Sequence, residues 1–270
     1  MVAMPRTVRQ GSYFPVLITD SITDSNCCEV IFQNKKHIAY AFDVFNEKRA
    51  HLALVPVGFV EIPGKAMVRI GRAGYEYLDR TIQIEKVNFP VSPQIFLVRK
   101  PTAAGKERRR QETEILLNIY SNEISERYFD GSLKFTSLLA EMETTSPFGK
   151  IRRKRMHNNG KEIRWDHYHG GVDLRARVGT PVFAAESGIA RIAQKWLGSG
   201  NTIILDHGQG LLTFYFHLSK MKVKEGEFAK RGSRIALSGR SGGTGEPHLH
   251  FEVVLHGTKV NPLDFLEGLK

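Results

Sequence analysis

The sequence predicts a mainly β protein, with a small β domain over residues 1–100, a helical linker over 101–147 and an antiparallel β domain over 148–270. Two stretches rich in β-branched and aromatic residues, interrupted by turn formers, predict the β regions. A charged stretch between them has apolar residues at helical spacing. The 270 residues are enough for one or two domains with sizeable hydrophobic cores.

The N-terminal region contains short candidate strands separated by residues that favour turns, such as Asn34 and Gly64. Strands at this spacing are typical of a small β-sandwich or barrel. Its histidines, His37 and His51, are isolated in the sequence, so no catalytic cluster is predicted here. The predicted strands are residues 14–19, 29–33, 52–60, 66–70, 81–87 and 95–99.

The composition changes after residue 101. Ile115, Leu116 and Ile119 recur among charged residues at helical spacing, which predicts an amphipathic connecting helix over residues 106–128. From residue 148 onwards, strand-like segments alternate with Gly-containing turns. These predicted strands are residues 182–185, 189–194, 201–206, 211–216, 234–238 and 250–255.

The chain is strongly basic. Its formal charge of +11 and isoelectric point near 9.7 predict affinity for polyanions. No nucleic-acid recognition motif and no aromatic–basic stripe occurs, so we expect no nucleic-acid partner. The basic runs Lys106–Arg110 and Arg152–Arg155 are predicted to lie at a helix start and in a loop. Either a solvated surface or binding of an anionic cell-wall polymer would account for them.

Neither a disulfide framework nor a membrane span is predicted. The two cysteines, Cys27 and Cys28, are neighbours, and a disulfide between adjacent residues would be strained. A zinc site built on Cys is excluded because too few are present. No apolar run approaches the roughly 20 residues of a transmembrane helix. The first residues also lack an apolar signal-peptide core, which predicts either a cytoplasmic chain or an exported one given without its signal.

Histidine and aspartate are concentrated in compact motifs of the C-terminal region. In His169-Gly-Gly-Val-Asp173 the two glycines argue against a helix. In an extended segment, positions i and i+4 share one face, so the imidazole and the carboxylate can converge on one ion.

In two further motifs a histidine is two residues away from another polar or aromatic residue, which is the spacing of side chains on one face of a strand. In His248-Leu-His250 the two imidazoles are predicted to point to the same side of a strand. In Tyr215-Phe-His217 the phenol and the imidazole are predicted to share a face in the same way.

Together the three motifs supply a His, Asp and His set with imidazoles to spare. Three protein ligands and an open position are typical of catalytic zinc, which lowers the pKa of a water ligand towards 7. Peptide hydrolysis also needs a group that takes up a proton and returns it to the leaving amine. A spare imidazole can do this.

These motifs resemble peptidase family M23, the lysostaphin/LytM-type zinc metallopeptidases. The resemblance extends over residues 148–266 and rests on Phe148-Gly149, HGGVD, GTPVFAAESGIA, GNTIILDHGQGLLTFYFHLS, PHLHFEV and VNPLDFL. It implies a lysostaphin-like antiparallel β domain with zinc in a groove across the sheet.

The resemblance also implies roles for individual residues. The implied zinc ligands are His169, Asp173 and His250, and the implied catalytic residues are His217 and His248. The implied substrate is the peptide part of bacterial peptidoglycan, which such an enzyme cuts as an endopeptidase in the periplasm or elsewhere in the cell envelope.

Some residues near the motifs allow two interpretations. Asn201 could reach the groove or cap a strand, and Tyr215 is a candidate donor to the transition state. His207 is expected to be structural. Phe216 and Glu246 depart from the residues common in the family and could narrow the groove. Two rival functions remain possible at this point, a regulator of wall hydrolases without activity of its own and a general protein-degrading metalloprotease.

Overall fold

The computed structural model describes the chain except for residues 21–27, 46–47, 73–74, 99, 131, 159–160 and 269–270. As predicted, the protein is mainly β. It divides into two compact units, Met1–Asn88 with Leu255–Val260 and Phe89–Val254 with Asn261–Lys270. The domain boundaries given above remain a prediction. Within the described residues, no helix combines the length and the apolar character that a membrane span requires.

The N-terminal unit contains an eight-stranded sheet in the order β1-β3-β6-β5-β4-β7-β8-β2. Cross-strand partners Phe14 and Val55, and Val16 and Ala53, are buried in its hydrophobic core. Cys28 is also buried, whereas Cys27 lies outside the described residues. The strands are β1 (Val2–Ala3), β2 (Thr7–Arg9), β3 (Tyr13–Asp20), β4 (Cys28–Phe32), β5 (Lys35–Phe45), β6 (Lys48–Pro56), β7 (Gly64–Gly71) and β8 (Leu78–Glu85).

The C-terminal unit is built on a sheet in which β10-β13-β21-β17-β16-β15-β19 are neighbours. The unit also contains two three-stranded sheets, with the strand orders β12-β11-β9 and β14-β20-β18. The elements are β9 (Val91–Leu97), α1 (Ala103–Ser121), β10 (Thr144–Ser146), β11 (Ile151–Asn158), β12 (Lys161–Tyr168), β13 (Val172–Arg175), β14 (Pro181–Phe183), β15 (Gly188–Trp196), β16 (Gly200–Asp206), β17 (Leu211–Leu218), β18 (Lys220–Met221), β19 (Phe228–Ala229), β20 (Arg234–Leu237), β21 (His248–Leu255) and α2 (Pro262–Glu267). Strand β22 (Thr258–Val260) belongs to the N-terminal unit.

Helix α1 begins three residues earlier than predicted and ends seven residues earlier. The Thr102 side chain caps its first turn by accepting a hydrogen bond from the Gly105 amide at 3.1 Å. Near its other end, Ile119 is buried with Trp196 and Phe214 against the main sheet. The helix therefore packs as part of the C-terminal unit.

The basic run Arg152–Arg155 lies in strand β11, so the prediction of a loop was wrong. Strand β11 pairs with β12 on one side and with β9 on the other. These backbone hydrogen bonds hold the four charged residues in an extended conformation that their side chains alone would not predict.

Candidate metal centre

Three buried side chains converge at the junction of β13 and β21. Asp173 and His250 are direct cross-strand partners, and His169 lies just before β13. The His169 Nε2 atom is 3.0 Å from Asp173 Oδ1 and 3.0 Å from His250 Nδ1. The His250 Nδ1 atom is 2.7 Å from Asp173 Oδ1. The structure thus brings together the three side chains predicted as ligands, as a metal-type cluster of two nitrogens and one oxygen.

The glycines of the first motif allow this convergence. A β-carbon on Gly171 would lie 2.1 Å from the backbone oxygen of Phe251, far inside contact distance. Only a glycine therefore lets the turn between His169 and Asp173 lie against β21.

Hydrogen bonds on the far side of each imidazole orient the ligand nitrogens. The His169 Nδ1 atom donates to the Pro147 carbonyl at 2.9 Å, and the His250 Nε2 atom donates to Glu252 Oε1 at 3.0 Å. Protons held at these positions leave His169 Nε2 and His250 Nδ1 with their lone pairs facing the cluster. Such outer partners are typical of metal-binding histidines, so the residues present fit a bound zinc ion.

The Asp173 carboxylate is held ionised. Burial alone would raise the pKa of this carboxyl group, but its interactions with the neighbouring His169 and His250 rings bring the pKa far below its usual range. The Arg152 Nη2 atom donates to Asp173 Oδ2 at 2.8 Å and to Ser146 Oγ at 3.2 Å. Because Oδ2 bonds to Arg152, Oδ1 is the carboxylate oxygen that faces the cluster.

His217 and His248 lie beside the cluster, with ring centroids 4.9 Å apart. The His217 Nδ1 atom donates to the Ser241 carbonyl at 2.8 Å, and the His248 Nδ1 atom donates to the Glu246 carbonyl at 2.9 Å. Both Nε2 atoms are then free to accept a proton. The His248 Nε2 atom is 3.5 Å from Asp173 Oδ1. Burial lowers the pKa of His217 to about 4, so its imidazole is neutral at pH 7.

A distortion near the end of β17 places His217 in the site. His217 has a left-handed backbone conformation with φ of 59°, and the pairing of β16 with β17 shifts register between Asn201 and Ile203. The preceding Phe216 stacks almost parallel on the His250 ring, with centroids 5.3 Å apart. Phe216 thereby packs against a ligand as well as bordering the site.

Comparison with known families assigns this region. Residues 167–262 match the family described as Peptidase family M23. These residues form an M23 peptidase domain.

Two similar proteins carry related descriptions. The chain is 39% identical over 145 residues to an uncharacterized metalloprotease of Haemophilus influenzae, covering 53% of this chain and 29% of that protein. It is 39% identical over 95 residues to the peptidoglycan DD-endopeptidase ShyA of Vibrio cholerae, covering 35% of this chain and 22% of ShyA.

The matched region therefore spans less than a third of these curated relatives. A crystal structure of a Pseudomonas aeruginosa protein described as an M23 peptidase resembles a larger part of the chain. The TM-score is 0.69, with 93% of this chain and 92% of that chain covered. At 20% identity this likeness shows a shared fold.

Tyr215 does not line the metal centre of the M23 domain. Its side chain is fully buried, and its hydroxyl accepts hydrogen bonds from the Ala185 amide at 2.9 Å and from Thr213 Oγ1 at 3.2 Å. The prediction that Tyr215 and His217 share a face was wrong because the left-handed residue His217 interrupts the strand alternation. The role of Tyr215 as a transition-state donor has no support in this geometry.

Of the two interpretations that the sequence allowed for Asn201, the structure has the strand cap. Its side-chain amide donates to the Leu218 carbonyl at 2.9 Å and so fixes the end of β17. His207 is structural as expected, since its ring bonds to the Ser187 carbonyl at 2.8 Å and to Thr213 Oγ1 at 2.7 Å inside the core.

The sequence reasoning missed two residues that support the ligands of the M23 domain. Glu252 lies two residues after His250 on the same strand, so its bond to that ring could have been predicted from strand period. Arg152 comes from β11, and no local spacing connects it with Asp173.

Proposed function

We propose that this protein is a zinc-dependent endopeptidase that hydrolyses peptide cross-links or stem peptides of bacterial peptidoglycan. One observation carries the proposal: a His, Asp and His cluster lies beside two imidazoles whose Nε2 atoms are free. The M23 family match and the description of ShyA as a peptidoglycan DD-endopeptidase support the substrate class.

The ligands in this proposal are His169, Asp173 and His250. When bound there, zinc supplies Lewis acidity and a water ligand of lowered pKa. The hydrogen bond from Arg152 would hold the Asp173 carboxylate in the orientation that binds zinc. The hydrogen bond to Glu252 would hold the His250 ring in its binding orientation.

His248 is the proposed general base and later general acid. Its Nε2 atom lies next to the ligand cluster and bears the lone pair, because Nδ1–H is bonded to the Glu246 carbonyl. His217 is the proposed partner across the site. Its Nδ1–H is fixed by the Ser241 carbonyl, so its Nε2 atom can accept a proton from the attacking water or, once protonated, donate to the oxyanion.

Because peptidoglycan lies outside the cytoplasmic membrane, the proposed place of action is the periplasm or another part of the cell envelope. The N-terminal β unit is proposed as an accessory domain that either restrains access to the groove or targets the enzyme to the wall. Its described residues contribute no metal-type cluster.

The experiment that tests the function is mass spectrometry of fragments released from purified sacculi of known cross-link chemistry. We expect free amino and carboxyl termini at one type of cross-link or stem-peptide bond. The glycan backbone should remain intact. Cleavage of glycosidic bonds in the glycan strands would contradict the proposal. So would the absence of any cleaved peptide bond after treatment with the zinc-loaded protein.

A parallel digestion of an unfolded protein separates the proposed activity from that of a general metalloprotease, which would cut it throughout. The Asp173→Asn variant serves as the inactive control in both digestions. A regulator without activity would release nothing from sacculi unless a separate wall hydrolase were added.

A further inference from the structure

Strand β11 turns one of its faces towards the metal centre. Arg152 is on this face, since its guanidinium reaches Asp173 at 2.8 Å. Lys154 follows two residues later, on the same face and about 7 Å further along the strand. Of the four basic residues in this run, Arg152 and Lys154 thus share the face of β11 that is turned towards the metal centre.

Lys154 lies between aromatic neighbours in the three-stranded sheet. Its cross-strand partner on β12 is Trp165, and its partner on β9 is Phe96. Both aromatic side chains are partly exposed, at 36% and 37%. The ammonium group is therefore partly dehydrated and flanked by apolar surface that solvent still reaches.

The surroundings of Lys154 are cationic. Burial and the charges of Arg152 and Arg109 together lower the pKa of its ammonium group. Within the described parts of the chain, no carboxylate forms an ion pair with Lys154. A partly buried ammonium group that has no ion-pair partner lowers the energy of a bound anion.

We propose that Lys154, lying between Trp165 and Phe96 on the face of β11 that carries Arg152, forms a subsite that binds a free carboxylate of the peptide substrate. This inference rests on the proposed peptidase function. The stem peptides of peptidoglycan carry free carboxylates, which the Lys154 ammonium group recognises through a charge-assisted hydrogen bond. The exposed ring of Trp165 would pack against the neighbouring apolar part of the peptide.

The test compares two cross-linked muropeptide dimers, one with free stem-peptide carboxylates and one with those carboxylates amidated. For the zinc-loaded full chain we expect kcat/KM to favour the free carboxylates on the order of tenfold, the value of one charge-assisted hydrogen bond. Lys154→Gln should abolish this preference by lowering kcat/KM for the free-carboxylate dimer to the value for the amidated dimer. Lys154→Glu should reverse the preference.

The matched control is Arg153→Gln, which removes one charge from the opposite, exposed face of the same strand. It should keep the preference. Equal losses for both dimers in Lys154→Gln, or the same change in Arg153→Gln, would overturn the subsite. Zinc content and melting temperature, measured for each variant, show that the fold and the metal centre are retained.

A binding measurement separates failure of the subsite from failure of the proposed function. Calorimetry on the full chain carrying His248→Ala, with and without Lys154→Gln, gives Kd for each dimer without turnover. Selective binding that depends on Lys154, in a wild-type chain that cuts neither dimer, would sustain the subsite and contradict the peptidase. Cleavage of both dimers with no selectivity in binding would contradict the subsite alone.

Discussion

The two units of the molecule both bury histidines, but they surround them differently. In the N-terminal unit His51 is fully buried with neither ring nitrogen hydrogen-bonded, and burial lowers the pKa of His37 to about 3. In the M23 domain His169 and His250 each have one ring nitrogen fixed by an acceptor and the other turned towards Asp173. Burial alone therefore does not make a site, whereas convergence with fixed tautomers does.

The largest effect is expected from the ligands themselves. His169→Ala, Asp173→Ala and His250→Ala should each lose both bound zinc and activity, because two donors seldom hold the ion. His37→Ala is the matched control from the N-terminal unit and should keep both. Elemental analysis alongside turnover checks this, and zinc retained at wild-type level in a ligand variant would refute the assignment.

The neighbouring imidazoles should behave differently from the ligands. His217→Ala and His248→Ala should keep zinc and lose activity by on the order of 10²-fold or more, since proton transfer is removed and the ligand set is intact. His157→Ala, an exposed histidine outside the site, is the control. If His248→Ala lost zinc as completely as His250→Ala, the division between ligand and base would be wrong.

A smaller effect is expected from the residues that hold the ligands in place. Arg152→Met and Glu252→Leu should weaken zinc affinity by about 10- to 100-fold, because the Asp173 carboxylate and the His250 ring lose their outer hydrogen bonds. Competition with a chelator of known affinity measures this. Arg153→Met, on the other face of β11, should leave the affinity unchanged, and equal weakening in both Arg variants would point to a general effect of charge.

A further expected effect concerns the stability of the fold rather than the site. Burial lowers the pKa of His207 to about 4, so the unfolded chain takes up this proton at higher pH than the folded one. The stability contributed by neutral His207 is therefore full above pH 6.5 and is lost as the pH falls towards 4. The loss is on the order of 3 kcal/mol.

Urea unfolding at pH 7.5, 5 and 4 measures this loss, and His207→Gln should give a shallower pH dependence than the wild type. An unchanged pH dependence would show that other groups dominate. The buried His37 of the N-terminal unit allows the same comparison there, with its loss continuing to about pH 3.

Local spacing and the resemblance to family M23 together predicted the cluster. The spacing within the two motifs indicated that their side chains converge, and the resemblance singled out His250 as the third ligand. Strand β13, which carries Asp173, was not predicted, whereas β15 to β17 were predicted within two residues at each end from their β-branched and aromatic residues.

Features that depend on distant partners could not be predicted in this way. The left-handed backbone of His217, which takes its imidazole off the face that Tyr215 occupies, accompanies the register shift between β16 and β17. Arg152 reaches Asp173 only because β11 is held between two other strands. Strand β5 was missed because it begins with exposed lysines and buries His37 on its inner face, where a strand pattern leads one to expect an apolar residue.

The central claim is that His169, Asp173 and His250 converge in order to hold a catalytic metal ion. Elemental analysis of the 270-residue chain, purified without added metal or chelator, tests this directly. We expect one zinc ion per chain, and a protein that contains no transition metal and takes up none from a zinc buffer would refute the ligand assignment.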